Sequence, residues 1–391
     1  MSSIINMNQL LIEKYLLRDD LSTSDPYDIW KTNLGIKIKK LYYGNKYLGL
    51  VPAGILTIYD LYINNNLRLG YQKQEYPIVR AQSALALLNI YKKDKNNIYL
   101  EYAKKHIDWL LENYSKAYSG YCWGLNFDWV YSSCKVYDSN IPFSTHTPYP
   151  LEALIEYYKI TKDKKLLEPI RSIFLFLEKD IKVMQETDEF LILSYGVEKD
   201  RVVTNANSYL MYMYSLMLDY LPDKKVYIKN KITKIYNFLI SVQNRDGSWI
   251  YQPYDNSFID CFHSAFVLKN IYKTNKIVEL SNANKIIEYG YIYILDNFFD
   301  QKYNLFKRFS KSNKLSLVKF DLYDNAEILN LALLLNDSNT VTLLNKSIQD
   351  NFIKGSDIFS IIELFGKQKN KNHLRWAIIP YLYGLSNIKD K

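Results

Sequence analysis

Cysteine is scarce: Cys122, Cys134 and Cys261 are the only three in 391 residues. So few, in odd number and widely scattered, they exclude a disulfide framework and suit a reducing compartment, so a cytoplasmic protein is expected. Also missing is any apolar run long enough for a membrane-spanning helix. The opening MSSIINMNQLLIEKYLLRDD lacks a basic stretch followed by an apolar core and a small-residue cleavage site, so no secretory signal is expected. There is no RNA-binding signature, zinc finger or basic zipper, and we expect no nucleic-acid partner despite a formal charge of +9. No DxDD or DDxxD run occurs, which disfavours terpenoid cyclisation.

What is present reads as a packed globular chain, with 48% apolar and 23% charged residues, rather than as disorder. Most lysines lie along helices as solvated faces. The exception is KYNLFKRFSKSNKLSLVKF (302–320), where basic and aromatic residues interleave with little helical period and could meet an anionic ligand. The 37 tyrosines accompany many Lys, Asn and Ile, a codon bias toward A and T, so their number alone is no binding code.

From about residue 75 the apolar residues recur at helical spacing in pairs: 76–91 with 98–114, 148–160 with 165–180, 205–221 with 225–243, 257–272 with 278–298, and 324–335 with 340–352. First members such as SALALLNI and NAEILNLALLL are apolar all round, as a helix buried on both sides must be. Second members mix Lys and Glu with one apolar stripe. Breaks within pairs are short; those between pairs, at 120–148, 184–204, the DGSW segment and 300–323, are long and aromatic or polar. This predicts an all-α fold, an (α/α) toroid of five or six hairpins with long loops at one mouth. Residues 1–70, including VPAGILTIYDLYINN, are expected to close the ring as a segment ahead of a toroid unit at 71–391.

Several stretches, in order, resemble the bacterial polysaccharide-biosynthesis proteins of the VpsJ type: DPYD (25–28), YPIVRAQSALALL (76–88), CWGLNFDW (122–129), THTPYPLEALIEYY (145–158), TNANSYL (204–210), QNRDGSWIY (243–251), FIDCFHSAFVL (258–268), FDLYDNAEI (320–328) and LRWAIIPYL (374–382). The resemblance implies an α/α toroid related to the six-hairpin glycosidases and a place in exopolysaccharide or capsule assembly. It also implies an Asn where this chain has Cys261 and a His where it has Tyr323.

The residues suggest a carbohydrate site. If a helix begins near Ser257, Asp260 and His263 share a face one turn apart, and an Asp there can orient the imidazole as a general base; a helix-dipole partner and a packed His are the plainer reading. CWGLNFDW offers Trp123, Asn126, Asp128 and Trp129, aromatic faces beside a carboxylate that can hold a sugar ring or simply fill a loop. His146 precedes a Pro-initiated helix; Thr204 or Asn205 is expected to cap the next, leaving Asn207 for a ligand. Asp324 and Glu327 at i, i+3 could split their pKa values into an acid and a base. Arg80 and Arg375 could bind a carboxylate or phosphate, or form buried ion pairs. In DGSW, Asp246 and Gly247 make a turn and Trp249 packs beneath the next hairpin, with a ligand contact the lesser reading.

Catalytic candidates are therefore Asp128, Asp260, His263, Tyr323 and Asp324, and the binding candidates Arg80, Trp123, Asn126, Trp129, His146, Asn207, Trp249, Glu327 and Arg375. No cofactor or metal is expected: a Cys–His zinc site through Cys122, Cys261 and His263 fits poorly in spacing. Two carboxylates facing across a sugar would hydrolyse. His, Tyr and Asn with an Arg would instead abstract a proton beside a carboxylate, as a lyase or epimerase does, and the basic chain favours this. A glycan-binding or scaffold role without turnover is the contrasting expectation.

Overall fold

A computed structural model describes residues 2–199, 201–255, 257–312 and 316–388, with side chains from residue 8 onward. Among these, fourteen α-helices dominate. They are α1 (Ser2–Leu16), α2 (Asn33–Gly44), α3 (Lys46–Ile58), α4 (Pro77–Asp94), α5 (Asn97–Glu112), α6 (Pro148–Thr161) and α7 (Leu167–Leu175). There follow α8 (Thr204–Met217), α9 (Lys225–Ser241), α10 (Cys261–Asn275), α11 (Ala283–Phe298), α12 (Leu322–Leu335), α13 (Ser338–Phe352) and α14 (Ile379–Asn387).

Helices α4, α6, α8, α10, α12 and α14 each pack against the next, and α14 packs back on α4, so the inner ring is closed. Around it lie α5, α7, α9, α11, α13 and α1, each on its own inner helix. The two layers follow from composition. Every residue of α12 from Leu322 to Ala332 is buried, whereas α13 buries only Leu344, Ser347, Ile348 and Phe352. An element covered on both flanks needs apolar or internally satisfied residues all round; one with a wet face needs a single stripe.

Local chemistry sets the ends. Pro77 and Pro148 stand in the first turns of α4 and α6, where a missing N–H costs nothing. Lys95, Lys162 and Asn336 terminate α4, α6 and α12 in the left-handed conformation. In the DGSW turn Asp246 accepts from the Ser248 amide at 3.0 Å, and Gly247 has φ +91, where an added Cβ would lie 2.4 Å from the Tyr289 carbonyl.

Ring closure follows the sequence expectation in part, since α1 lies within 1–70. The closing hairpin joins the two ends of the chain, α14 inside and α1 outside. Lys14 donates to the Ser356 carbonyl at 2.7 Å and to Asp357 at 3.0 Å, and the Tyr15 hydroxyl meets Asn372 at 2.6 Å. VPAGILTIYDLYINN instead completes α3 and a following turn, outside the ring. Residues 300–323 hold short strands rather than a free loop: 318–321 pairs antiparallel with 357–363, which pairs with 368–371. Part of the predicted basic segment, 313–315, lies outside the described residues.

Candidate active site

All long connections precede inner helices, so they gather at the ring's N-terminal mouth. Helix α10 starts at Cys261, later than expected. Asp260 is its N-cap residue and belongs to a short strand, 259–260, whose register sets Asp260 opposite Phe309. That pairing, with the Cys261 amide donating to the Arg308 carbonyl at 2.9 Å, brings Arg308 beside the start of α10. The strand 318–321 delivers Asp321 to the start of α12, where it accepts from the Tyr323 amide at 2.8 Å.

The centre is an acid–imidazole dyad. His263 Nδ1 lies 2.8 Å from both oxygens of Asp260. Nδ1 is thus occupied, and Nε2 meets no protein partner among the described residues. Three buried acids, Asp260, Asp321 and Asp324, surround the Arg308 guanidinium, which donates to Asp321 at 3.1 Å. Burial opposes the charge on Arg308, but Tyr27 and the three carboxylates together hold its pKa above the ordinary value. Burial pushes Asp324 well above the usual carboxylate range; Arg308 opposes this and Asp321 and Asp260 reinforce it. Asp324 takes a bond from the Phe262 amide at 3.1 Å, while its other oxygen has no partner. Asp321 is also raised by burial, but Arg308, the Trp376 indole at 2.9 Å and the Tyr323 amide all donate to it. With fewer donors upon it, Asp324 is the more strongly raised of the two.

Depth separates the charges. The side chains of His263 and Arg308 are 21% and 19% accessible, against 2% and 1% for Asp260 and Asp321. What the mouth presents is therefore imidazole and guanidinium, with the acids beneath. Tyr323 stacks on Trp376 at 4.3 Å, Phe262 meets both rings edge-on, and Tyr27 meets Trp376 at 5.3 Å. Trp376 is set by a kink ahead of α14, where Ala377 has φ 128, a region costly for a residue with a Cβ. Arg375 pairs with Asp25, which Arg375 and Lys31 hold below the usual carboxylate range against the effect of burial. His146 belongs to the same mouth: burial first, and Arg375 second, push its imidazole down to about 3, so it is neutral.

Several candidates are placed elsewhere. Arg80 is bound to Glu75 twice at 2.6 Å, to His106 at 2.9 Å and to the Asp19 carbonyl at 2.7 Å, leaving no free edge for a ligand. Asn207 receives the Leu193 amide at 2.9 Å and donates to the Leu193 and Val203 carbonyls, strapping the 191–193 strand to α8. Thr204 is the first helical residue rather than a cap; its hydroxyl donates to the Ile250 carbonyl at 2.7 Å. Trp123 and Trp249 are buried, their indoles bonded to the Leu110 and Leu239 carbonyls. Glu327 does not meet Asp324; it pairs with Lys269 deep on the barrel axis. Asp128 is exposed and ties the open end of the strand pair 129–130 and 136–137 by accepting from the Ser139 amide at 3.0 Å. Asn126, in the left-handed region at φ 63, donates to the Glu75 carbonyl at 2.6 Å. Trp129 stands at the rim, 6.0 Å from Tyr27. Cys122 and Cys261 are buried apart, and among the described residues no three His, Cys, Asp or Glu converge as a metal would need.

Below the mouth stand Tyr149 against Tyr209 and the Lys269–Glu327 and Lys273–Glu152 pairs, and Tyr149, Glu152, Lys269 and Lys273 line a cavity of about 150 Å³. Sequence reasoning missed Arg308 and Asp321. The basic run at 302–320 carries no periodic pattern that marks Arg308 as turning inward.

No protein-family model and no curated protein matches this chain. Solved structures do resemble it in shape. The cellobiose 2-epimerase from Bacillus thermoamylovorans superposes with a TM-score of 0.61 at 12% identity, over 80% of this chain and 86% of that one. A D-mannose isomerase gives 0.57 at 11% identity over 80% and 87%. The GH76 α-mannanase from Bacteroides thetaiotaomicron gives 0.55 at 13% identity over 93% and 98%. The chain therefore shares the α/α-toroid fold of these proteins.

Proposed function

We propose that this toroid is a sugar-modifying enzyme that removes a proton from carbon next to a carbonyl or carboxylate. The observation that carries this is the Asp260–His263 dyad, with Nδ1 held by both carboxylate oxygens and Nε2 unpartnered, beside the largely buried Arg308. His263 Nε2 takes the C–H proton. The electron pair moves to the adjacent oxygen, and the charge that develops there faces the Arg308 guanidinium. Return of a proton from the other face gives an epimer; loss of a β-substituent instead gives an unsaturated sugar. His146, neutral at physiological pH, and the Tyr323 hydroxyl are the groups available to return the proton. Trp129 and Tyr27, part-buried at the rim, supply aromatic surface for the ring of a carbohydrate, neutral or acidic, with Trp376 buried behind them.

Neighbours named as a cellobiose 2-epimerase and a D-mannose isomerase show that this fold carries isomerising chemistry, as the α-mannanase shows that it carries hydrolysis, so the choice rests on the site. Against hydrolysis, Asp128 stands outside the cluster, and the remaining acids lie beneath Arg308 rather than across an open cleft. We place the reaction in bacterial surface-polysaccharide assembly, on the ordered stretches that resemble the VpsJ type, and in the cytoplasm, on the three free thiols.

The test is proton exchange. Panels of reducing disaccharides and uronic-acid oligosaccharides in D2O, followed by NMR, are expected to show deuterium entering beside the carbonyl or carboxylate, and no exchange with His263→Asn. Release of new reducing ends without C–H exchange would overturn the reading in favour of a hydrolase. Saturable sugar binding with neither reaction would make it a glycan-binding module.

A further inference from the structure

Helices α2 and α3 form a hairpin between α1 and α4 whose burial pattern is inverted. In α3 the only buried residues are Gly49 and Leu56. The opposite stripe, Tyr47, Val51, Ile55 and Ile58, follows helical spacing and is apolar throughout, yet these residues are 91%, 66%, 62% and 52% exposed. Leu48 and Leu50 extend it, and Leu34 and Leu41 of α2 are exposed as well. The two helices are locked together, since a Cβ on Gly49 would lie 2.2 Å from the Tyr42 backbone. The apolar stripe cannot fold inward by sliding them. A contiguous apolar face of this kind marks an interaction surface.

Charge identifies the partner. Residues 32–59 contain no Asp or Glu and four lysines, Lys37, Lys39, Lys40 and Lys46. Lys39 sits over the Trp129 ring at 3.1 Å, while Lys37, Lys40 and Lys46 have no carboxylate partner among the described residues. Apolar residues flanked by cations without acids match a lipid surface carrying anionic headgroups. A second copy of the chain would set these lysines against one another. Spanning is excluded by length: the 13 residues of α3 reach about 20 Å, short of the roughly 30 Å hydrocarbon core.

We propose that the α2–α3 hairpin lies in the interface of an anionic bilayer, apolar stripe inward and lysines at headgroup level. α2 packs on the turn Asp28–Lys31, and Lys39 reaches Trp129, so the mouth's rim is held beside the membrane. The inference is independent of what the mouth catalyses.

The test is co-sedimentation of the full chain with vesicles of phosphatidylcholine alone and of phosphatidylcholine mixed with phosphatidylglycerol. Pelleting is expected with the mixed vesicles only. It should fall by roughly tenfold or more in Val51→Asp/Ile55→Asp, and also in Lys37→Glu/Lys40→Glu or at high salt. All four positions are at the surface, so unchanged thermal melting certifies the fold. No pelleting with either vesicle, equal pelleting with both, or pelleting indifferent to these substitutions would overturn the proposal. So would a dimer, seen by light scattering, that Val51→Asp splits; that result assigns the face to a second copy.

Discussion

The inner helices α4 and α8 on one side of the ring, and α10 and α12 on the other, begin at equivalent stations of one barrel, yet their polar residues are used in opposite ways. Arg80 and Asn207 are saturated: every edge is bonded to a carboxylate, an imidazole or a backbone group. His263 and Asp324 are bonded on one side only, leaving Nε2 and a buried carboxyl oxygen without partners. An unpaired polar group in a folded interior is costly, whereas a satisfied one steadies the fold. One half of the mouth thus has its polar groups satisfied within the fold, and the other keeps hydrogen-bonding capacity unspent.

That contrast can be broken in three ways. The largest effect is expected from Asp260→Asn, which frees the imidazole from its orienting acid. Turnover in the exchange assay should fall by about 10²- to 10⁴-fold with sugar binding and melting temperature nearly kept. Loss of binding in proportion to turnover would assign the dyad to recognition instead. Next is Arg80→Met, which removes the cation that Glu75 and His106 share. Denaturant unfolding should show a loss of about 3 kcal/mol with turnover per folded molecule unchanged. A kinetic defect at full stability would return Arg80 to the site.

The smallest effect is expected from Asp324→Asn, which mimics the protonated acid. In the native protein this carboxyl keeps its proton above the ordinary value of 3.8, so the folded state binds more protons than the unfolded one. Its contribution to stability is full below that value and declines as pH rises toward the folded pKa. The Asn variant lacks this decline, so its melting temperature should gain on the parent as pH is raised. Parallel curves would mean that Asp324 is ionised.

Much of the ring was legible because a helix covered on two sides and a helix covered on one differ in periodicity, as α12 and α13 do. The DGSW turn was legible too, since only Gly tolerates both the backbone angle and the nearby Tyr289 carbonyl at 247. Closure was legible only in part, because α14 and α1 lie at opposite ends of the chain and neither carries a local sign of the other. In the site, the i, i+3 spacing of Asp260 and His263 could be read directly. Arg308 could not, because a strand register rather than a periodic pattern turns it inward. Arg80 and Arg375 look alike in sequence; only their surroundings separate a tie between layers from a residue of the mouth.

The seal between α14 and α4 also governs how the molecule is made. A nascent chain leaving the ribosome would carry α4 and α12 with a bare apolar flank each until residues 379–387 emerged, well after every other inner helix. The decisive docking event is thus among the most non-local that this polypeptide can perform, and it leaves a late window in which a chaperone, or another unfinished chain, could occupy the gap first.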